Sequence, residues 1–181
     1  MNAILQLDGN ILLWIQEYLR CPPLDFFFST ITRLGDKGYF WIAVTLLLLL
    51  IKKTRKIGVC CAISMILGLL VTNICLKNWV ARIRPYEVIE GLKILVPVEH
   101  SFSFPSGHTT NSFAAGWVIY KMAPKKMGVP ALVLAIIIAF SRLFVGVHYP
   151  TDVLGGVVIG CGVATIAMII VKAIGKKLAK A

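Results

Sequence analysis

The chain has 181 residues, 58% of them hydrophobic, a formal net charge of +11 and a mean hydropathy of +0.84. That hydropathy excludes an ordinary soluble domain of this length and places the chain in the membrane class. The excess of base does not point to nucleic acid, because the lysines and arginines sort into a few loops between apolar runs.

In chain order, Ile4-Leu19 mixes Leu5, Leu12, Leu13, Ile15 and Leu19 with Gln6, Asp8, Gln16 and Glu17. This pattern predicts a helix lying on the membrane, within about residues 1–20. The segment lacks the basic start and small-residue cleavage site of a signal peptide. Leu24-Leu34 follows, a short or tilted span, because Pro22-Pro23 blocks its extension toward the N-terminus. Tyr39-Ile51 is the second span, with Lys52 and Lys53 snorkelling to the headgroups. Ile57-Leu76, Gly107-Tyr120, Gly128-Val147 and Thr151-Ala173 complete the set, the longest of them near the ~20 residues that cross a hydrocarbon core. The expected fold is all-α: one membrane-embedded bundle of about six transmembrane helices, a single domain over residues 1–181.

Charge orients it. Lys52, Lys53, Arg55 and Lys56 fill one connection, Lys121, Lys125 and Lys126 another, and Lys172, Lys176, Lys177 and Lys180 the tail, with no acid interrupting any of them. The positive-inside rule places all three in the cytoplasm. Gly35-Gly38, Lys77-Pro105 and the turn around His148-Thr151 then face outside. Cys60, Cys61, Cys75 and Cys161 lack metal-ligand spacing and read as buried, inert thiols. Gly155, Gly156 and Gly160 contain a G-x3-G spacing, which in a span signals close helix packing.

The rare polar residues gather at the outer helix ends: Lys77, Arg82, Arg84 and Pro85 in KNWVARIRP, then PSGH from Pro105 to His108, then Arg142, His148 and Asp152 in SRLFVGVHYPTD. Holding one charge at the bilayer centre is unfavourable by roughly 2.5 to 3.5 kcal/mol even on lenient insertion scales. Each block has an ordinary explanation. Lys77 and Arg84 suit interfacial anchors, Pro105 and Ser106 suit a helix start, and Asp152 suits a helix N-terminus. None of these explains why all three blocks converge on one membrane face. A phosphate does: Lys77, Arg84 and Arg142 can neutralise its oxygens, Ser106-Gly107 and the start near Thr151 offer free N–H groups, and His148 with Asp152 suits a nucleophile and its orienter. Arg82 and His100 read as loop or headgroup-contact residues.

K-x6-R-P at Lys77-Pro85, P-S-G-H at Pro105-His108 and S-R-x5-H-x3-D at Ser141-Asp152 resemble the three signature blocks of the type 2 phosphatidic acid phosphatase (PAP2) superfamily, in order and spacing. The resemblance implies His148 as the nucleophile that forms a phosphohistidine, Asp152 as its orienter and His108 as the general acid. Lys77, Arg84, Ser106, Gly107 and Arg142 would cradle the phosphate, with no metal or other cofactor. It further implies a multi-pass enzyme of the bacterial inner membrane with its site facing outside, whose partners are the bilayer and a lipid phosphate. Small bacterial members act on undecaprenyl diphosphate, the first choice of substrate, or on phosphatidylglycerophosphate or phosphatidic acid. Two rival readings are a metal-assisted hydrolase with His108, His148 and Asp152 as ligands, and a transporter or scramblase whose basic vestibule binds lipid phosphate without turnover.

Overall fold

Polar and small residues dominate Gly107-Gly116, and a helix with no lipid-compatible face has to sit inside a bundle. In the computed structural model, which describes residues 3–178, that segment is the innermost helix. The elements are α1 (Ala3–Tyr18), α2 (Pro22–Ile31), a 3-10 segment (Thr32–Gly38), α3 (Tyr39–Leu50), α4 (Arg55–Leu69), a π-helical segment (Leu70–Leu76), α5 (Lys77–Val80), α6 (Pro85–Val88), α7 (Gly107–Met122), α8 (Lys125–Phe144) and α9 (Pro150–Leu178). No strand occurs among the described residues. Helix α7 packs against α8, α9 and α4, and α4 also packs against α9 and α3. Leu46, Leu50, Ile66, Ile136, Leu154 and Val158 point outward, as side chains facing lipid do.

Among the described residues, three helices are long and apolar enough to cross a bilayer: the one running from Arg55, and α8 and α9. The expected first span yields only the 10-residue α2, about 15 Å long, because the proline pair starts it late and the chain tightens into 3-10 turns at Thr32. The amphipathic N-terminal segment is helical as expected, and α1 buries Asp8, Gly9, Leu12 and Ile15. The basic residues cluster where α3 ends, α4 begins, α7 ends, α8 begins and α9 ends. That is the end of the bundle opposite the starts of α7 and α9; Lys180 lies outside the described residues. Cys60 and Cys61 are buried, but Cys75 is exposed on the π-helical segment, against the expectation of a buried thiol.

Backbones come close where glycines allow it. A Cβ at Gly160 would stand 2.7 Å from Phe113 Cβ and 2.8 Å from Thr110 O, and one at Gly156 would stand 2.8 Å from Thr109 Cβ. Such contacts let α7 and α9 pack through small residues, which compensates for the missing hydrophobic drive between helices in lipid. We expect Gly160→Val to lower the thermal unfolding midpoint in detergent, since overpacking costs about 1–3 kcal/mol. Gly162→Val, at a position with nothing within 4 Å, should melt close to the parent. Equal midpoints for the two variants would show that the α7–α9 contact does not limit stability.

Candidate active site

The eight residues from Lys77 to Arg84 do not continue one helix. Helix α5 ends at Ala81, whose φ of 48° is left-handed, and Arg82-Arg84 runs on as a non-helical segment. That conformation costs an alanine roughly 1–2 kcal/mol, and it turns the chain so that Lys77 and Arg84 meet at one loop. Lys77 Nζ donates to Ser101 Oγ at 3.0 Å, and Arg84 Nη2 donates to the same oxygen at 3.0 Å. A second sharp turn follows α8. Gly146, at φ 79°, lets the chain double back where an added Cβ would stand 3.0 Å from Lys93 O. Arg20 secures this corner, donating from Nη2 to Phe144 O at 2.7 Å and from Nη1 to Lys93 O at 2.7 Å.

His148 and Asp152 are brought together as their spacing suggests, on either side of Pro150. They are 1% and 0% exposed, with Nδ1 of the ring 3.4 Å from Asp152 Oδ2. The same oxygen accepts hydrogen bonds from Tyr149 N at 2.9 Å and Ser103 Oγ at 2.5 Å. A carboxylate at Nδ1 places the ring proton there and leaves the Nε2 lone pair free. Nε2 lies 3.4 Å from Arg84 Nη1. Burial first, then the neighbouring Arg142 and Arg84 cations, hold the His148 ring well below its ordinary pKa, so it is neutral.

The two arginines are fully buried and share one partner that sequence reasoning missed. Arg84 donates from Nε to Ser101 O at 2.7 Å, from Nη1 to Val147 O at 3.0 Å and from Nη2 to Glu99 Oε2 at 2.6 Å. Arg142 donates from Nη1 to Thr32 Oγ1 at 2.6 Å and from Nη2 to Glu99 Oε1. Burial alone would raise the Glu99 pKa, but Arg142 and Arg84 outweigh it and hold the carboxylate at about 2. Glu99 thus bridges both guanidinium groups. Arg142 Nε is buried with no hydrogen-bond partner among the described residues.

Lys77, Gly107, His108, His148 and Glu99 line one cavity of about 530 Å³, together with Asn73, Asp36 and Lys37. Arg142 lines a neighbouring cavity on the other side of Glu99. Ser106 is fully buried; its Oγ caps α7 by accepting from Thr109 N, while its own N–H donates to Asp152 O at 3.1 Å. His108 enters the cavity with Nε2 2.9 Å from Asp36 Oδ1, a partner that was not anticipated. Among the described residues no three His, Cys, Asp or Glu side chains gather as a metal-ligand set, so His108, His148 and Asp152 are not arranged as the rival metal reading requires.

Arg82, read from sequence as an ordinary loop or headgroup-contact residue, donates from its loop to Asp152 Oδ1 at 2.7 Å and to Asp8 Oδ2 at 2.7 Å. The overlooked acids had one signal in common. Only eight acids occur in the chain, and four of them, Asp8, Asp36, Glu99 and Asp152, sit against a cation or histidine of this site.

An undecaprenyl-diphosphatase of Sulfolobus acidocaldarius is 33% identical over 132 residues, 73% of this chain and 64% of that protein. Phosphatidylglycerophosphatase B of Bacillus subtilis is 36% identical over 100 residues, 49% of this chain and 45% of the relative. The matches therefore span less than two thirds of either relative. Among solved structures, Aquifex aeolicus LpxE superposes with a TM-score of 0.79 at 27% identity, over 93% of this chain and 96% of that one. A PAP2 type phosphatidylglycerolphosphate phosphatase from Bacillus subtilis superposes with a TM-score of 0.74 at 29% identity, over 98% and 88%. The PAP2 superfamily profile matches residues 57–176, a stretch that contains all three polar blocks, and the chain belongs to that superfamily.

Proposed function

We propose that this chain is an integral membrane lipid phosphatase working through a phosphohistidine, with undecaprenyl diphosphate as its substrate. The observation that carries the reading is the buried His148 ring, backed by Asp152 at Nδ1 and facing Arg84 with Nε2 beside the cavity that holds His108. The Nε2 lone pair attacks the terminal phosphorus as the bond to the leaving oxygen breaks, and His108 gives that oxygen its proton. Lys77, Arg84 and Arg142 hold the non-bridging oxygens, where charge spreads during transfer, with Gly107 at the N-terminus of α7 close by. Arg142 Nε supplies a buried donor that no protein group uses. Ser106 contributes by capping α7 and tying it to α9. Water then attacks the phosphohistidine, loses a proton to His108 and releases inorganic phosphate, which restores both rings.

The Sulfolobus acidocaldarius relative, named an undecaprenyl-diphosphatase, favours the prenyl diphosphate. The Bacillus subtilis phosphatidylglycerolphosphate phosphatase, alike over nearly the whole chain, favours a second substrate reading, phosphatidylglycerophosphate. Purified protein in detergent, given undecaprenyl diphosphate, phosphatidylglycerophosphate and phosphatidic acid in parallel, should release phosphate fastest from the first. If the prenyl diphosphate is poorest by tenfold, about 1.4 kcal/mol in transition-state stabilisation, the substrate assignment fails and the reaction class stands. Release from none of the three, with headgroup binding retained, would favour a scramblase or transporter. The basic loops, read by the positive-inside rule, favour a site outside the cell. In a cysteine-depleted background, Lys93→Cys should therefore react with an impermeant reagent on intact cells and Lys53→Cys should not.

A further inference from the structure

An aspartate that backs a catalytic histidine works only if its carboxylate is fixed, and the two Asp152 oxygens here are held by different parts of the chain. Oδ2 faces His148, Ser103 and Tyr149 N, as described above, while Oδ1 is taken by Arg82 Nη1. The Arg82 guanidinium is fixed in turn. Its Nη1 also donates to Thr151 Oγ1 at 2.6 Å, its Nη2 donates to Asp8 Oδ2, and its Cζ lies 3.8 Å over the Tyr149 ring. Asp8, 2% exposed on α1, additionally accepts from Thr151 N at 3.1 Å and Thr151 Oγ1 at 2.5 Å, which satisfies a free N–H in the first turn of α9.

We propose that Arg82 and Asp8 are positioning residues for the reaction, Arg82 by clamping the Asp152 carboxylate behind His148 and Asp8 by clamping Arg82 and the start of α9. Arg82 is not among the signature residues of its block, and Asp8 lies outside the matched residues 57–176. Helix α1 is therefore part of the site's machinery. With Arg82 replaced, Oδ1 loses a charged partner and the carboxylate can turn away from Nδ1, misorienting the ring that attacks. With Asp8 replaced, Arg82 keeps its bond to Asp152 but loses the group that aims it, a smaller effect in the same direction. Neither side chain lines the cavity that holds Lys77, Gly107, His108 and His148, so substrate affinity should be spared.

The inference rests on the phosphatase reading, and the test separates the two. Steady-state kinetics on a lipid phosphate in detergent, with thermal unfolding of each variant, should show Arg82→Gln lowering kcat 10- to 100-fold with KM within twofold. Asp8→Asn should lower kcat three- to tenfold, Arg82→Lys should recover part of the loss by keeping the charge, and Asp8→Asn/Arg82→Gln should be no slower than Arg82→Gln alone. Unchanged kcat in Arg82→Gln, a loss confined to KM, or fully additive losses would overturn the proposal. If Arg82→Gln does not fold, Arg82→Lys and Asp8→Asn decide by the same split between kcat and KM. A parent protein without phosphatase activity would instead defeat the functional reading itself.

Discussion

His148→Ala should abolish phosphate release, by at least about a thousandfold, in a protein that melts like the parent. Nε2 of this ring faces Arg84 Nη1, so on the phosphohistidine reading its removal deletes the covalent route instead of weakening it. Asp152→Asn should come close to the same loss while preserving shape. An amide offers Nδ1 an N–H as readily as an oxygen, and the wrong ring tautomer costs about 10⁴ in the serine-protease triad. Rapid quenching of parent enzyme with labelled substrate should trap an acid-labile phosphoryl group on the protein, absent from His148→Ala. Substantial turnover in His148→Ala, or a label that persists in it, would place the nucleophile elsewhere.

Arg142→Lys should lower kcat/KM about a hundredfold or more, a loss near 2.7 kcal/mol. Charge is conserved in this change, so the expectation rests on geometry. Arg142 is fully buried and serves Thr32 Oγ1 with one arm and Glu99 with the other, while Nε remains for a third acceptor. A lysine ammonium is a single point on a flexible stem and cannot span those directions. Kinetics at fixed pH beside the melting curve of the variant check it; a change of less than threefold would show that Arg142 supplies charge alone.

The parts of the site readable from sequence are those fixed by local geometry. His148 and Asp152 are four residues apart at a helix start, so their meeting follows from Pro150 opening α9. The proline pair at Pro22-Pro23 announced a short α2, and the glycines of α9 announced a close helix contact, though not that α7 makes it. Glu99, Asp8 and Asp36 were illegible for the opposite reason. Glu99 lies 15 and 43 residues from its two arginines and Asp8 lies 74 from Arg82, separations that carry no periodic signature. An acid in a loop reads as solvated until the fold shows what surrounds it. Arg82 was misjudged because bases beside a span end usually settle at headgroups, and only the left-handed turn at Ala81 reveals that it points into the bundle network. The exposure of Cys75 likewise depends on rotation within the π-helical stretch, which shifts every face after Leu70.

On the phosphatase reading, the Glu99 bridge also bears on which lipids the site would ignore. An anion reaches the Nη2 donors of Arg84 and Arg142 only by exchange with a carboxylate already bound to both, so it must offer more there than Glu99 does. A terminal phosphate brings close to two negative charges and three free oxygens and competes well on both counts. A phosphodiester headgroup brings one charge and two free oxygens, no better than the resident acid. In a bilayer where phosphodiesters vastly outnumber any chain-end phosphate, an internal counter-ion of this kind keeps the pocket from being swamped by the solvent it is dissolved in.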